Sequence, residues 1–350
     1  MKTNVPRGKG WTLSMQPDEI YPSEAGLEPA LALLARLGVT HADLRVVNGR
    51  DSFVRLGDEQ IDALGRLLQK YGLSVGVLET PVFKCPLRKN HAIRWGYAPG
   101  YSPDMNVADH RSCLARALAI ADRLGAESLR CFAFWREYEL DEVFDEVVEK
   151  LAAAAGQAAV VERKLLLQNQ PDTLAGTGVE LARIVRGVGS PHLLAAYDPA
   201  NSARRGGVPY PDDYAALRGL LGAVQVRFQA LDVRSGCVTP QKNDFSGPKL
   251  GSSPALFWRQ PDLPVSGWVA FGGRRIALEG VRTFLRVEET VGIDYRSFFS
   301  ELKKDGYAGP ISVDTSYFVN DSGPVSHAKI EADVEKTFSS LKQLIAEVGP

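Results

Sequence analysis

Two patterns of apolar residues alternate along the chain. Short apolar runs, such as Leu73–Leu78 and Lys164–Gln168, predict β-strands, whereas leucines three or four residues apart, as in residues 24–37, predict helices that bury one face. Gly38 and Gly72 follow two of the helical stretches, which is typical of helix ends. Eight such alternations predict a (β/α)₈ barrel, with a doubly wound open sheet as the alternative.

The element bounds follow from these patterns. The predicted strands cover residues 11–15, 41–47, 73–78, 127–134, 164–168, 193–201, 223–232 and 310–314. Helices are predicted at residues 106–124 and 141–162, and Asp58 is expected to cap a helix that continues to Tyr71. No GxGxxG turn follows the first strand, so no nucleotide cofactor is expected. We expect residues 1–350 to form one barrel domain.

The regular alternation breaks between residues 234 and 290. This stretch is rich in glycine, proline, serine and aromatic residues, and Trp268–Leu278 predicts a hairpin within it. A loop this long inside a compact domain is usually a lid, a binding loop or an oligomer contact. We therefore expect 234–290 to be an insertion after strand seven that serves as a lid, a hairpin or a contact in a homo-oligomer.

Composition narrows the class of partner. The 350 residues include 41 basic and 42 acidic side chains, which leave a formal net charge of -1. A basic surface for nucleic acid or an anionic membrane is therefore not expected, and a small neutral or singly charged ligand fits better. The sequence contains no secretory signal and no membrane-length apolar run, so we expect a cytoplasmic protein. The cysteines are far apart and are expected to be reduced thiols.

Polar residues stand where the predicted strands end. The run that begins at Leu193 stops at Asp198, strand five ends in Gln168 and Asn169, and strand eight ends in Asp314. In a parallel barrel the interior is filled by side chains, and the site is formed by groups at the carboxyl ends of the strands. Asp198 is therefore the residue around which we expect the site to form.

Four segments together resemble a known family. They are DLR at Asp43–Arg45, TPVFK at Thr80–Lys84, DPAN at Asp198–Asn201 and GPISVD at Gly309–Asp314. In this order they resemble the xylose isomerase-like TIM barrels, which include sugar and sugar-phosphate isomerases and epimerases. The resemblance covers nearly the whole chain and implies the same (β/α)₈ fold.

The resemblance also implies a metal site, from which this chain departs. Members typically hold one divalent metal, Mn²⁺ or Mg²⁺, with Glu, Asp, His and Glu on strands five to eight. This chain has Gln168, Asp198, Gln229 and Asp314 at those positions, which are our candidates for catalysis and for any metal. Amides are weaker ligands than carboxylate or imidazole, and Gln168 cannot accept a proton, so the site looks degenerate and the two-base epimerase mechanism disabled.

Other polar residues near strand ends are candidates for substrate binding: Arg45, Lys84, Trp135, Asn169, Asn201, Asp232 and Arg234. Each candidate has a simpler alternative. Arg45 and Lys84 are also consistent with solvated salt bridges, and Trp135 with core packing. Asp198 could cap the following turn, and Asp232 could be a plain loop acid. Gln168 and Gln229 could simply satisfy hydrogen bonds in the mouth of the barrel.

Two functional hypotheses follow. The first is a sugar (phosphate) isomerase/epimerase-like enzyme that acts on a small polyhydroxylated substrate, with lyase or dehydratase chemistry also allowed. The second is a catalytically silent sugar-binding or subunit-assembly protein on the same barrel. A DNA-repair nuclease is disfavoured, because its multinuclear site needs more histidine and acidic ligands than the strand ends supply.

Overall fold

The computed structural model describes residues 11–20, 26–47, 52–88, 107–205, 207–227, 268–271, 274–277, 295–314 and 327–348. Its strands are β1 Leu13–Met15, β2 His41–Leu44, β3 Ser74–Leu78, β4 Ser128–Cys131, β5 Lys164–Gln168, β6 Leu193–Tyr197, β7 Leu221–Arg227, β8 Trp268–Phe271, β9 Arg274–Ala277 and β10 Ile311–Asp314.

Eight of these strands close into a parallel barrel in the order β1 to β7 followed by β10. Closure is made by β1, which pairs with β2 on one side and with β10 on the other, so that Met15 lies between Ala42 and Val313. The predicted (β/α)₈ barrel is confirmed, and the open sheet is excluded because a closed barrel has no edge strand.

The helices cover the outside of the barrel and bury their apolar stripes against it. They are α1 Leu27–Arg36, α2 Asp58–Lys70, α3 Val107–Leu124, α4 Leu140–Val160, α5 Gly178–Val188, α6 Pro199–Arg205, α7 Tyr214–Leu217, α8 Tyr295–Lys304 and α9 His327–Val348. Short helical turns also occur at Pro17–Glu19, Phe53–Arg55 and Pro209–Asp213.

One predicted cap is displaced by a residue. Gly57 precedes α2, and its backbone N–H donates to Oε1 of Gln60, 2.9 Å away. Asp58 is the first residue of the helix, where its carboxylate lies beside Arg116 and Arg123 instead of capping. An acid in the first turn is stabilised by the helix dipole, so the same residue type suits either position.

The interior of the barrel contains a small apolar cluster of its own. Val77, Leu166, Ala196 and Ala223 form this cluster, which is separate from the main core, and Leu194 packs against it. Its members come from β3, β5, β6 and β7, and β3 does not neighbour any of the other three strands. They can meet only inside the barrel, and we call them the inner apolar layer.

The stretch after β7 is described only in part. Residues 268–271 and 274–277 pair as antiparallel strands, with Trp268 opposite Ala277, so the predicted hairpin is confirmed. The rest of the 234–290 insertion lies outside the described residues, as do Gln229, Asp232 and Arg234.

Two further expectations can be compared with the described residues. Cys85, Cys113 and Cys131 are free and buried, in agreement with reduced thiols, while Cys237 is not described. Within the described ranges, none of the helices combines the length and apolar content needed to cross a bilayer.

Candidate active site

A layer of polar side chains lies directly above the inner apolar layer. Each of its members follows a residue of the inner apolar layer by two positions, and the members are Glu79, Gln168, Asp198 and Gln225. Side chains two residues apart in extended backbone point to the same face, so these four groups point into the mouth of the barrel at the carboxyl ends of the strands. All four are buried. We call them the polar layer.

Hydrogen bonds join the polar layer to its neighbours across the mouth. Nη1 of Arg130, on β4, donates to Oε1 of Gln168 across 3.2 Å. Nε2 of Gln168 donates to Oε1 of Gln225, and Nε2 of Gln225 donates to Oδ2 of Asp314 across 3.3 Å. The structure thus brings together Gln168 and Asp314, two of the predicted site residues, through an amide on β7 that the sequence analysis did not select.

Glu79 forms an ion pair with Arg130 at the end of β3. Both side chains are buried, and Oε2 of Glu79 contacts Nη1 of Arg130. The guanidinium carbon also lies 4.8 Å from the ring centre of Phe132. Burial raises the pKa of Glu79 from 4.5 to about 7; Arg130 and Arg45 oppose this shift, while Asp43 and Asp314 add to it. Glu79 is therefore a carboxyl group that changes protonation near neutral pH.

Asp43 lies one layer deeper and ties its own strand, β2, to three others. Its Oδ2 accepts hydrogen bonds from Ser14 at 2.7 Å and Ser312 at 2.5 Å, and its Oδ1 accepts one from the backbone N–H of Val77 at 2.8 Å. Burial raises its pKa, and these hydrogen bonds oppose the shift. A side chain at Gly76 would clash with Oδ1 of Asp43, so glycine is required there to admit the carboxylate.

Asp198 is fixed by a ring of hydrogen bonds at the end of β6. Its backbone N–H donates to Oδ1 of Asn169 at 2.7 Å, and Nδ2 of Asn169 donates back to the carbonyl of Asp198 at 2.9 Å. Oδ1 of Asp198 accepts a hydrogen bond of 2.9 Å from the backbone N–H of Asn201, so this side chain does cap the turn that follows β6. Nδ2 of Asn201 donates to the carbonyl of Asn169. The side-chain amides of Asn169 and Asn201 thus form hydrogen bonds with backbone groups, and the role of these two residues in substrate binding stays a prediction.

Arg45 and Lys84 both have partners inside the protein. Nη2 of Arg45 lies 2.8 Å from Oδ2 of Asp18, and the carboxylate of Asp18 is buried, so this ion pair is not a solvated one. The ammonium of Lys84 is also buried and lies 4.9 Å from the ring centre of Phe132 and 5.5 Å from that of Trp135. Trp135 is 1% exposed, as in the core-packing alternative.

Gln16 is a further polar side chain at the mouth. The side chain of Ser14 reaches Asp43 inside the barrel, and Gln16 follows it by two residues in extended backbone, so it points the same way. Gln16 is fully buried, yet neither Nε2 nor Oε1 has a hydrogen-bond partner among the described residues. Because a buried polar group without a partner is costly, this amide is suited to bind a polar ligand.

His110 supports the turn that follows β3. Its Nδ1 accepts a hydrogen bond of 3.0 Å from the backbone N–H of Phe83, a residue with a positive φ of 60°. Burial lowers the pKa of His110 from 6.5 to about 4, with a smaller opposing effect from Asp109. The ring is therefore neutral at pH 7 and its role is structural.

The described residues do not fit a divalent cation. Among them, no group of three or more His, Cys, Asp or Glu residues is arranged to hold a metal. The side-chain oxygens of Gln168 and Gln225 both accept hydrogen bonds from protein N–H groups, and the guanidinium of Arg130 places positive charge beside Gln168. Mg²⁺ needs near-octahedral oxygen coordination and is repelled by a neighbouring cation.

Four residues of this site were missed from the sequence: Gln16, Glu79, Arg130 and Gln225. Glu79 could have been found by continuing the inward alternation of strand three by one step, and Gln225 by following the same alternation within the predicted strand seven. The family pattern instead directed attention to Gln229, which lies outside the described residues. Arg130 gave no signal, because a charged residue in the middle of a short strand is more often exposed than buried.

Comparisons with known proteins support the fold. The model of a family described as xylose isomerase-like TIM barrel matches residues 31–344. No curated protein matches the chain by sequence.

Three solved structures illustrate the structural likeness. A xylose isomerase-like TIM barrel protein from Mycobacterium smegmatis, in complex with magnesium, is 15% identical with a TM-score of 0.59, covering 97% of this chain and 98% of its own. D-allulose 3-epimerase from Methylomonas sp., in complex with D-allulose, is 16% identical with a TM-score of 0.61. The match covers 96% of this chain and 98% of the epimerase chain. The 3-keto-D-glucoside 4-epimerase of E. coli is 11% identical with a TM-score of 0.57, and the match covers 95% of this chain and 98% of the epimerase chain. At these identities the likeness establishes the fold alone.

Proposed function

The chain belongs to the xylose isomerase-like TIM barrel family, and we propose that it is a sugar isomerase/epimerase-like enzyme. Its substrate would be a small polyhydroxylated molecule bound at the mouth of the barrel, above the polar layer. Two of the similar structures are sugar epimerases, one of them with D-allulose bound, which supports this class of ligand.

The observation that carries the proposal is the hydrogen-bonded series Arg130, Gln168, Gln225 and Asp314. These side chains come from four strands and meet at the end of the barrel where sites of this fold are built. Amides both donate and accept hydrogen bonds, and a carboxylate accepts them, so the set complements a ligand with several hydroxyl groups. The amide of Gln16, which has no hydrogen-bond partner in the part of the chain that the structure describes, supports the same conclusion.

Isomerisation and epimerisation of a ketose both begin with loss of a proton from the carbon next to the carbonyl group. A general base, such as an ionised carboxylate, must accept this proton, and the resulting negative charge on the carbonyl oxygen must be stabilised. The mouth contains carboxyl groups at Glu79, Asp198 and Asp314 and a cation at Arg130. The residues required for this chemistry are therefore available without Gln168 acting as a base.

Product formation from D-allulose and L-ribulose tests the proposal. The protein is incubated with each ketose, and isomers and epimers are separated by chromatography. We expect conversion of at least one sugar and a large loss of conversion in Asp314→Asn. The control is Asp62→Asn, the same change at an exposed acid on α2, which should retain the activity.

A second candidate is a protein that binds a sugar without converting it. The specific observation in its favour is that Gln168, at the strand-five position of a family base, is an amide already satisfied by Arg130 and Gln225. This candidate predicts heat of binding for a ketose in calorimetry, loss of affinity in Asp314→Asn, and no product.

A further inference from the structure

We propose that Glu79 is a catalytic carboxylate of this barrel and that Arg130 stabilises the negative charge that develops on the substrate oxygen. This inference rests on the proposed function and specifies its chemistry. The pair would supply, from β3 and β4, a proton acceptor and a positive charge that the site otherwise lacks at β5.

The position of Glu79 on its strand places its carboxyl group in the mouth of the barrel. Glu79 follows Val77 of the inner apolar layer by two residues, so its carboxyl group enters the mouth at the level of Gln168, which follows Leu166 in the same way. Oε2 of Glu79 and Oε1 of Gln168 both contact the same atom, Nη1 of Arg130. The carboxyl group therefore lies next to the side chain that occupies the strand-five position.

Arg130 is held in place by its contacts. Its Nη1 contacts Glu79 and Gln168, its Nε donates to the carbonyl of Thr80 across 3.4 Å, and its planar group packs on the ring of Phe132. A guanidinium fixed on several sides needs little rearrangement to stabilise a new anion. This is the property that makes preorganised donors effective in catalysis.

Charged groups from several strands surround Glu79. The charged groups that act on it are Arg130 on β4, Asp43 and Arg45 on or after β2, and Asp314 on β10. Two are acids and two are arginines, so burial decides the balance and holds the pKa of the carboxyl group near neutrality. A base with a pKa close to the working pH is well suited to accept and return a proton.

The reaction can be written with all atoms and electrons accounted for. The ionised carboxylate of Glu79 takes the proton from the carbon next to the ketose carbonyl. The C–H electron pair forms the C=C bond of an enediolate, and the carbonyl π pair moves to the oxygen, where Arg130 donates a hydrogen bond. The neutral carboxyl then returns the proton, either to the original carbon, which restores the ketose, or to the former carbonyl carbon. In the second case the proton of the neighbouring hydroxyl group passes to the enediolate oxygen and the carbonyl bond forms at the neighbouring carbon, with no oxidant or other co-reactant.

Solvent deuterium reports this step directly. While Glu79 carries the proton, exchange with D₂O replaces it, so deuterium enters the ketose. The probes are D-allulose and L-ribulose, followed by proton NMR with wild type, Glu79→Gln, Glu79→Asp and the exposed control Glu59→Gln. We expect exchange to fall by roughly 10²-fold or more in Glu79→Gln, the range of general acid–base catalysis. Glu79→Asp should be intermediate, Glu59→Gln should match wild type, and calorimetry should show that Glu79→Gln still binds the sugar.

The outcomes separate this inference from the proposed function. If wild type exchanges deuterium and Glu79→Gln exchanges it equally fast, the role of Glu79 is wrong while the proposed function stands. If wild type neither exchanges nor converts any probe, both are wrong. If Glu79→Gln does not fold, Glu79→Asp decides: slower exchange with unchanged binding supports the role, and the wild-type rate overturns it.

Discussion

Arg130 donates a hydrogen bond of 3.2 Å to the side-chain oxygen of Gln168. This contact directs the guanidinium at the strand-five position, where the family pattern has a metal-binding glutamate. It places a fixed positive charge there and occupies the amide oxygen that a metal would need. The mouth of this barrel is therefore organised around an arginine.

Gly76→Ala should destabilise the protein, because a side chain at this position clashes with Asp43 and approaches Cβ of Ser14 to 3.2 Å. Overpacking of this kind typically costs about 1–3 kcal/mol. The matched control is Gly156→Ala, an exposed position inside α4 with nothing within 4 Å of the added carbon. There, alanine should stabilise the protein by roughly 0.5–1 kcal/mol.

Urea unfolding of both alanine variants measures the two effects. We expect the free energy of unfolding to fall in Gly76→Ala and to rise in Gly156→Ala. Equal stability of Gly76→Ala and wild type would contradict the claim that Asp43 occupies the space beside this glycine.

The stability of the protein should depend on His110 at acidic pH. Because burial lowers the pKa of the folded-state imidazole from 6.5 to about 4, the unfolded chain binds a proton in this interval and the folded protein does not. The contribution of the neutral His110 ring to the free energy of unfolding is fully present above pH 6.5. It is lost as the pH falls to about 4, and the total change is about 3 kcal/mol.

His110→Asn keeps an acceptor for the N–H of Phe83 and removes the titration. Unfolding free energies of this variant should therefore fall less steeply than those of wild type between pH 6.5 and 4. Parallel curves would show that His110 is not the group responsible.

Asp43→Asn should shift the pH dependence of deuterium exchange to lower pH. The rate should rise as Glu79 loses its proton near pH 7, and the negative charge of Asp43 is one of the influences that raise the pKa of Glu79. Removing that charge lowers the midpoint, since Arg130 and Arg45 then act against less opposition. Rates of deuterium entry into D-allulose measured from pH 5 to 9 test this, and a midpoint that stays in place or moves upward would contradict it.

The strands and helices could be predicted from the sequence because their apolar periods are strong and local. The apolar runs of β5 and β6 and the leucine stripe of α2 each fix an element without reference to the rest of the chain. The strand-end placement of Asp198 and Asp314 followed from the same runs, since a barrel strand becomes polar only where it reaches the mouth.

The partners of these residues could not be predicted from the sequence. Two contacts depend on how neighbouring strands lie against each other in the closed barrel, which no local pattern encodes. They are the hydrogen bond between Arg130 and Gln168 and the ion pair between Glu79 and Arg130. On β7 the family motif indicates Gln229, whereas simple alternation of inward side chains indicates Gln225. The hydrogen bonds between the amide of Asn169 and the backbone of Asp198 also form only once β5 and β6 lie side by side, and the role of Asn169 in substrate binding stays a prediction.

The most direct test of the account is the rate of deuterium entry into D-allulose after the protein has been treated with EDTA and freed of chelator and metal by gel filtration. If Arg130 supplies the positive charge of the site, the treated protein should exchange deuterium as fast as untreated protein, and added Mn²⁺ should not raise the rate. Loss of exchange on treatment, restored by Mn²⁺, would contradict the account and show that a metal provides that charge.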